Sequence, residues 1–382
     1  MSTTLRGGAA VVGIGLAGIP SGKGRTHLEL IADAVNKALE DSGLSRDDID
    51  GLFTTNLVNF MPGISVAEYL GIRPRWFDSS NVGGSSFVHY AASAALAIQA
   101  GLCKVALLTY GSDAGSNAPR PLSAGEPLSY EAEYHAPFPI TGVALAAARH
   151  MAEYGTTRRH LAEVALAARS WAALDPALPR QDMVTLDQMV AAPTIVDPFS
   201  QYDCGVMTDG AAAVLMVSAA HARDLKPKPV YFLGGGSALS HRRIVACEDL
   251  TTTAAVQSGA RAYAMAGLGP KDVDLLQLYD GFTIYPILFL EDLGFCRKGE
   301  GGSFVSGGTI ALGGKLPVNT NGGSLCSVHP GMYGLFLIAE AVRQLRGEAG
   351  AAQVQNARIC LCHGNGGHLS SQCTAIFGSE IP

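Results

Sequence analysis

The chain has 382 residues, of which 48% are hydrophobic and 16% charged, enough apolar material for a large core in two domains or one duplicated unit. A net charge of -6 argues against a broad nucleic-acid or membrane-surface footprint and leaves room for a local basic clamp on a phosphorylated ligand. No run of about 18 apolar residues occurs, so no bilayer span is expected. The Gly-broken start, MSTTLRGGAAVVGIGLAG, reads as a strand and not as a signal peptide. Eight cysteines form no CxxC pair, which points to reduced thiols in the cytoplasm and to no metal site.

In chain order, an apolar strand from Ala9 is followed by a stretch with helical spacing that stops at Gly43, a capping turn, and a strand from Ile49 to Phe53. A Gly-rich turn, NVGGSS, then opens a long buried helix and a strand ending in glycine and polar groups. From Ala114 to Ser200 a Pro- and aromatic-rich, partly helical excursion breaks the pattern and is expected to cover a site or a subunit contact. The segment DCGVMTDGAAAVLMVS returns to turn and strand. The same grammar then restarts: a strand from Pro229, a helix closing at Gly267-Leu268, the turn Lys271-Asp272-Val273-Asp274 and a Leu-rich strand. NGGSLCSVHPGMYG and its helix, then ARICLCHGNGGHL, echo the second part of the first half. Such repetition predicts two halves, 1–225 and 226–382. Strands alternating with helices predict a parallel or mixed sheet covered on both faces.

The order and spacing of DCGVMTDGAAAVLMVS, YDGFT (Tyr279 to Thr283), NTNGG followed by His329-Pro330, and CHGNGGH from Cys362 resemble the thiolase superfamily, in its sterol-carrier-type and thiolase-like branch, along essentially the whole chain. The resemblance implies an α/β thiolase fold with duplicated βαβαβ halves in five layers, α-β-α-β-α, and a homodimer.

In that family a cysteine at the start of the first buried helix accepts the acyl group, its pKa lowered by the helix N-terminus and a histidine. Counting seventeen residues back from Gly101 lands on Gly84, and no cysteine lies between Ala9 and Cys103. Ser85 and Ser86 are adjacent, but an unassisted hydroxyl is a poor substitute. Tyr279 stands where the family has the asparagine or histidine of an oxyanion hole. His329 matches the histidine that activates the thiolate or orients the thioester, in a turn one residue shorter that bears Tyr333. At the Gly-rich turn of the family's second cysteine lie Cys362 and His363, and either could face the site.

Without an acyl carrier the thiolase exchange is not expected, but a pocket that polarises a thioester can stabilise an enolate. The chain is similar to thiolase-like steroid side-chain aldolases, which lack the nucleophile. The resemblance therefore implies retro-aldol cleavage, or its reverse, of a β-hydroxyacyl-CoA, with a bulky or steroid-type acyl group. Tyr279 and Tyr333 are the expected proton-transfer pair, with His329 and His363 near the thioester. Gly84, Ser85, Asp280, Cys362 and Gly366 are expected to line the substrate, Gly84 leaving room for a branched or ring-bearing acyl group. CoA enters as substrate, no cofactor is bound, and an OB-fold, zinc-ribbon partner protein is expected. The alternatives are an acyltransferase with a displaced nucleophile, Cys326 or Cys362, and a non-catalytic scaffold or lipid-carrier subunit. His89 and His368 read as packing or surface residues, GIGLAGIPSGKG lacks phosphate-loop spacing, and Arg158-Arg159 and Arg242-Arg243 read as solvated charge, with a CoA-phosphate contact as the alternative.

Overall fold

A computed structural model describes residues 5–19, 22–116, 131–180 and 182–381. The strands among them are β1 (Ala9–Ala17), β2 (Gly51–Thr54), β3 (Trp76–Asp78), β4 (Val105–Ser112), β5 (Thr194–Val196), β6 (Phe199–Ser200), β7 (Gly210–Ser218), β8 (Val230–Leu239), β9 (Leu275–Leu278), β10 (Ile359–Gly366) and β11 (Ser371–Gly378). The helices are α1 (His27–Ser42), α2 (Pro62–Leu70), α3 (Ser86–Gln99), α4 (Ile140–Tyr154), α5 (Arg158–Ala172), α6 (Leu186–Ala191), α7 (Ala219–Ala222), α8 (Ala255–Ala266), α9 (Ile284–Asp292), α10 (Gly301–Val305), α11 (Gly323–Cys326) and α12 (Gly334–Arg346).

Nine strands form one mixed sheet in the order β3-β2-β4-β7-β1-β8-β11-β10-β9. The two halves meet at β1 and β8, which pair only through Ala10–Tyr231 and Val11–Val230. On each side of this narrow seam the same grammar recurs. α1 lies on β1 and β7, α8 lies on β8 and β11, and α3 and α12 pack on strands of both halves. The order is helix, sheet, buried helices, sheet, helix, the five layers expected of this fold.

Both halves bring an outer helix against its strand with paired glycines. A Cβ at Gly15 would stand 2.0 Å from the Ala34 carbonyl oxygen, and one at Gly236 would stand 2.1 Å from that of Ser258. The glycines of GIGLAG are therefore spent on helix–strand contact, not on a phosphate. α1 itself begins at a Thr26–Glu29 capping box and closes at Gly43 with φ 75°.

The excursion contains α4, α5, α6 and the β5–β6 hairpin, and residues 117–130 and 181 of it lie outside the described part. β11, which the sequence pattern did not announce, pairs antiparallel with both β10 and β8. Among the described residues no helix is long and apolar enough to cross a membrane.

Candidate active site

The two middle-layer helices start against one another. A Cβ at Gly334, the first residue of α12, would lie 2.2 Å from the Gly84 carbonyl oxygen at the head of α3. Around this junction the motifs converge. The Gly205 N–H donates to the Gly281 carbonyl and Cys204 bridges Phe282, which joins DCGVMTDG to YDGFT. Thr208 clasps His329, its hydroxyl accepting from the His329 N–H at 3.0 Å. The Tyr110 hydroxyl of β4 donates to the Pro330 carbonyl at 2.5 Å.

At the centre, the Tyr279 hydroxyl and His329 Nε2 are 3.0 Å apart, their rings edge to face. The Tyr333 ring stands edge-on to Tyr279 with centroids 6.0 Å apart, and its hydroxyl donates to Asn321 Oδ1 at 3.1 Å. Burial pushes both phenols well above their ordinary pKa. The Tyr285, Tyr110 and Asp280 neighbours add to this at Tyr279, and the Tyr333 backbone N–H opposes it. Burial also lowers His329 to about 4. Near neutral pH the pair is a neutral phenol against a neutral imidazole. The Tyr279 oxygen thus lies between an unprotonated ring nitrogen and an amide donor at the start of α12.

Gly84 carries a correction. A Cβ there would sit 2.3 Å from Tyr279 Cε2, 2.8 Å from its Cζ and 2.8 Å from the Asn365 carbonyl oxygen. The space that a nucleophile's side chain would need is filled by the Tyr279 ring, so Gly84 leaves no room for a branched acyl group. Glycine and tyrosine are a matched pair.

The remaining expected residues divide. Asp280 is buried and accepts from the Ser324 N–H at 2.7 Å; burial raises its carboxyl to about 6 against the hydrogen bonds of Ser324, Asn319 and Leu325. It braces the chain ahead of the His329 turn, and its charge acts on both phenols without a hydrogen bond to either being seen. The Ser85 hydroxyl donates to the Val82 carbonyl and pairs with the Ser371 hydroxyl. Gly366 allows that turn to approach, since a Cβ there would be 1.8 Å from the Val82 oxygen. Strand alternation separates Cys362 from His363. The Cys362 thiol donates to the Leu337 carbonyl of α12 at 3.5 Å and perturbs Tyr333 electrostatically. The His363 ring bonds Thr374 and Gln372 and packs on Phe289. Only its carbonyl reaches Tyr279, accepting the backbone N–H at 2.9 Å. The structure therefore does not bring the His363 imidazole to the phenols. Asn321 and Thr208, which do touch the group, went unnoticed in the sequence, although Asn321 lies within the NTNGG motif.

Of the arginine pairs, Arg158 donates to the Ala192 carbonyl and Arg159 pairs with Asp187. Cys326 is buried, and burial pushes its thiol up to about 12.

Residues 236–379 match the family model described as thiolase C-terminal domain-like. The 17-hydroxy-3-oxo-4-pregnene-20-carboxyl-CoA lyase of Mycobacterium tuberculosis is 35% identical over 90% of this chain and 92% of its own length. The chain belongs to the thiolase superfamily. Within the superfamily its likeness runs in two directions. An acetyl-CoA acetyltransferase of Methanothermobacter thermautotrophicus is 34% identical over 91% of this chain and 94% of its own. Among solved structures, the Ltp2-ChsH2(DUF35) aldolase superposes with a TM-score of 0.89 at 30% identity over 98% of both chains.

Proposed function

We propose that this protein is a thiolase-like aldolase that cleaves, or in reverse forms, the Cα–Cβ bond of a β-hydroxyacyl-CoA. The observation that carries the reading is the Tyr279 phenol, which occupies the space of the missing nucleophile and bonds His329. The lyase and aldolase among the relatives support the same chemistry.

In the cleavage direction, the Tyr279 oxygen takes the β-hydroxyl proton as its own proton passes to His329 Nε2. The Cα–Cβ bond breaks, the β-carbon leaves as a carbonyl, and the electron pair becomes the thioester enolate. The enolate charge offsets the cost of a buried imidazolium. Tyr333 delivers a proton to Cα and is reprotonated from the Tyr279–His329 pair. The proton removed from the hydroxyl thus equals the one needed at carbon, and no acyl-enzyme forms. Asp280 and Ser85 hold the two turns in place, and Gly84, Gly366 and Cys362 complete the wall.

The acyl group is bulky and of steroid type in this reading, as the name of the M. tuberculosis lyase suggests. A DUF35-type partner and a second copy of the chain belong to the same proposal. The exposed edge strand β3, with Phe77 66% exposed, and Phe60, 94% exposed, favour a dimer. The division into halves at 225/226 is also part of it. Retro-aldol release of acetyl-CoA or propionyl-CoA from β-hydroxyacyl-CoA compounds, by the chain co-purified with its native partners, tests the reading. Acyl exchange without cleavage, with an acyl adduct on Cys326 or Cys362, would overturn it in favour of an acyltransferase.

A further inference from the structure

At the far end of β10 the chain turns through Gly367, His368 and Leu369 into β11. His368 is 4% exposed, and neither of its ring nitrogens has a hydrogen-bond partner among the described residues. The ring lines a cavity of about 240 Å³ whose walls include Phe138, Leu145, Ile244 and Val245. Thr141 lines the same cavity, and its buried hydroxyl is likewise without a partner. Three orphaned polar atoms in one apolar hollow are uncommon, because each costs free energy unless something bonds it.

The ring is held for this position. Phe138 lies against it with centroids 4.5 Å apart, the His368 carbonyl pairs with His241 Nε2 at 2.8 Å, and Gly142 makes space, a Cβ there standing 3.0 Å from the imidazole. Burial, with the neighbouring Arg242, His241 and Arg243, lowers its pKa to about 4. The imidazole is thus neutral and offers one donor and one acceptor.

The cavity is smaller than the sites that enclose whole drug-sized ligands, so it takes part of one. β10 leads there from the active site: the His363 carbonyl bonds the Tyr279 N–H, and three residues of strand to Gly366 add about 10 Å. Among the described residues the lining is almost wholly apolar, with His368 and Thr141 its polar exceptions, and such walls favour the acyl end of the thioester, while Arg242 and Arg243 neighbour His368 from outside the lining.

We propose that this hollow is the distal acyl subsite, taking an apolar ring body that carries one oxygen substituent, a ketone or hydroxyl, which pairs with His368 and Thr141. The inference rests on the acyl-CoA reading above and adds what the acyl group must carry at its far end.

The test is equilibrium binding by calorimetry to the full chain with its co-purified partners. The probes are two ring-bearing acyl-CoA thioesters that lack the β-hydroxyl and differ only in a distal-ring ketone, and CoA alone. Wild type binds the ketone about tenfold more tightly, the worth of one buried hydrogen bond. His368→Phe, which keeps the ring stack on Phe138, abolishes that preference and leaves affinity for the ketone-free thioester and for CoA within twofold. His368→Gln restores part of the preference, and unchanged melting temperatures certify folding. Equal binding of the two thioesters by wild type overturns the proposal. So does a matching loss of affinity for CoA alone in His368→Phe, which assigns the hollow to the carrier. Because no turnover is read, a preference without cleavage in the separate aldolase assay counts against the aldolase reading only, and cleavage without a preference counts against this subsite only.

Discussion

Replacing Gly84 by alanine tests whether glycine and tyrosine are a matched pair. The new Cβ would meet Tyr279 Cε2 at 2.3 Å and Cζ at 2.8 Å, whereas ordinary contact begins near 3.4 Å, so the ring must retreat by about 1 Å. The opposite side is backbone, the Asn365 carbonyl at 2.8 Å, and cannot yield as cheaply. Such a retreat carries the 3.0 Å Tyr279–His329 bond past hydrogen-bonding range. A misplacement of this size costs about 100-fold in rate, with about 1–3 kcal/mol of stability lost to overpacking. Retro-aldol assays and thermal melts of Gly84→Ala measure both. Gly84→Cys follows the same logic: cleavage falls, and no efficient acyl exchange appears, because the thiol arrives in a site whose oxyanion position is held by a phenol. Undiminished cleavage in Gly84→Ala, or vigorous acyl exchange in Gly84→Cys, would refute the reasoning.

Other outcomes follow from the same geometry. Tyr333→Phe keeps the stack on Phe336 and loses the hydroxyl bonded to Asn321, so cleavage drops by about 100-fold or more while the melting temperature holds. A Cβ at Gly323 would lie 1.9 Å from Asp280 Oδ2 at a φ of 63°; Gly323→Ala therefore costs about 2 kcal/mol or more, read by chemical denaturation. His329, His363 and His368 have folded pKa values lowered from 6.5 to about 4, so unfolding takes up protons below pH 6.5 and stability falls with acidification between about 6.5 and 4. Asp280, raised from 3.8 to about 6, opposes this by protonating first in the folded state. These four groups give a net uptake of about two protons at pH 5, a slope of about 2.5 kcal/mol per pH unit, measurable as denaturation midpoints at pH 6 and 5. Cys326→Ser leaves cleavage within about threefold of wild type, because a thiol at about 12 supplies no thiolate.

The order of elements was legible because helical spacing, glycine stops and the repeated turn before β2 and β9 are local features. The absence of any cysteine between Ala9 and Cys103 was legible, and with it the expectation that Gly84 stands where a nucleophile would. The Tyr279 ring beside Gly84 was not, because the turn ahead of α3 and the segment after β9 are far apart in sequence and meet only in the fold. The choice between Cys362 and His363 also escaped the sequence: neighbours on a strand face opposite ways, and only the pairing of β10 with β9 and β11 fixes which side is which. His368 looked ordinary because a histidine's meaning lies in whether its nitrogens find partners, and that depends on Gly142 and Phe138 in a distant helix and loop.

The most direct test of the account is the cleavage rate of Tyr279→Phe. The ring still fills the space beside Gly84, and only the oxygen that joins His329 is lost. A fall in kcat of about 100-fold or more, with acyl-CoA affinity and melting temperature unchanged, is the predicted result. Cleavage within threefold of wild type would contradict it and leave the enolate chemistry without its base.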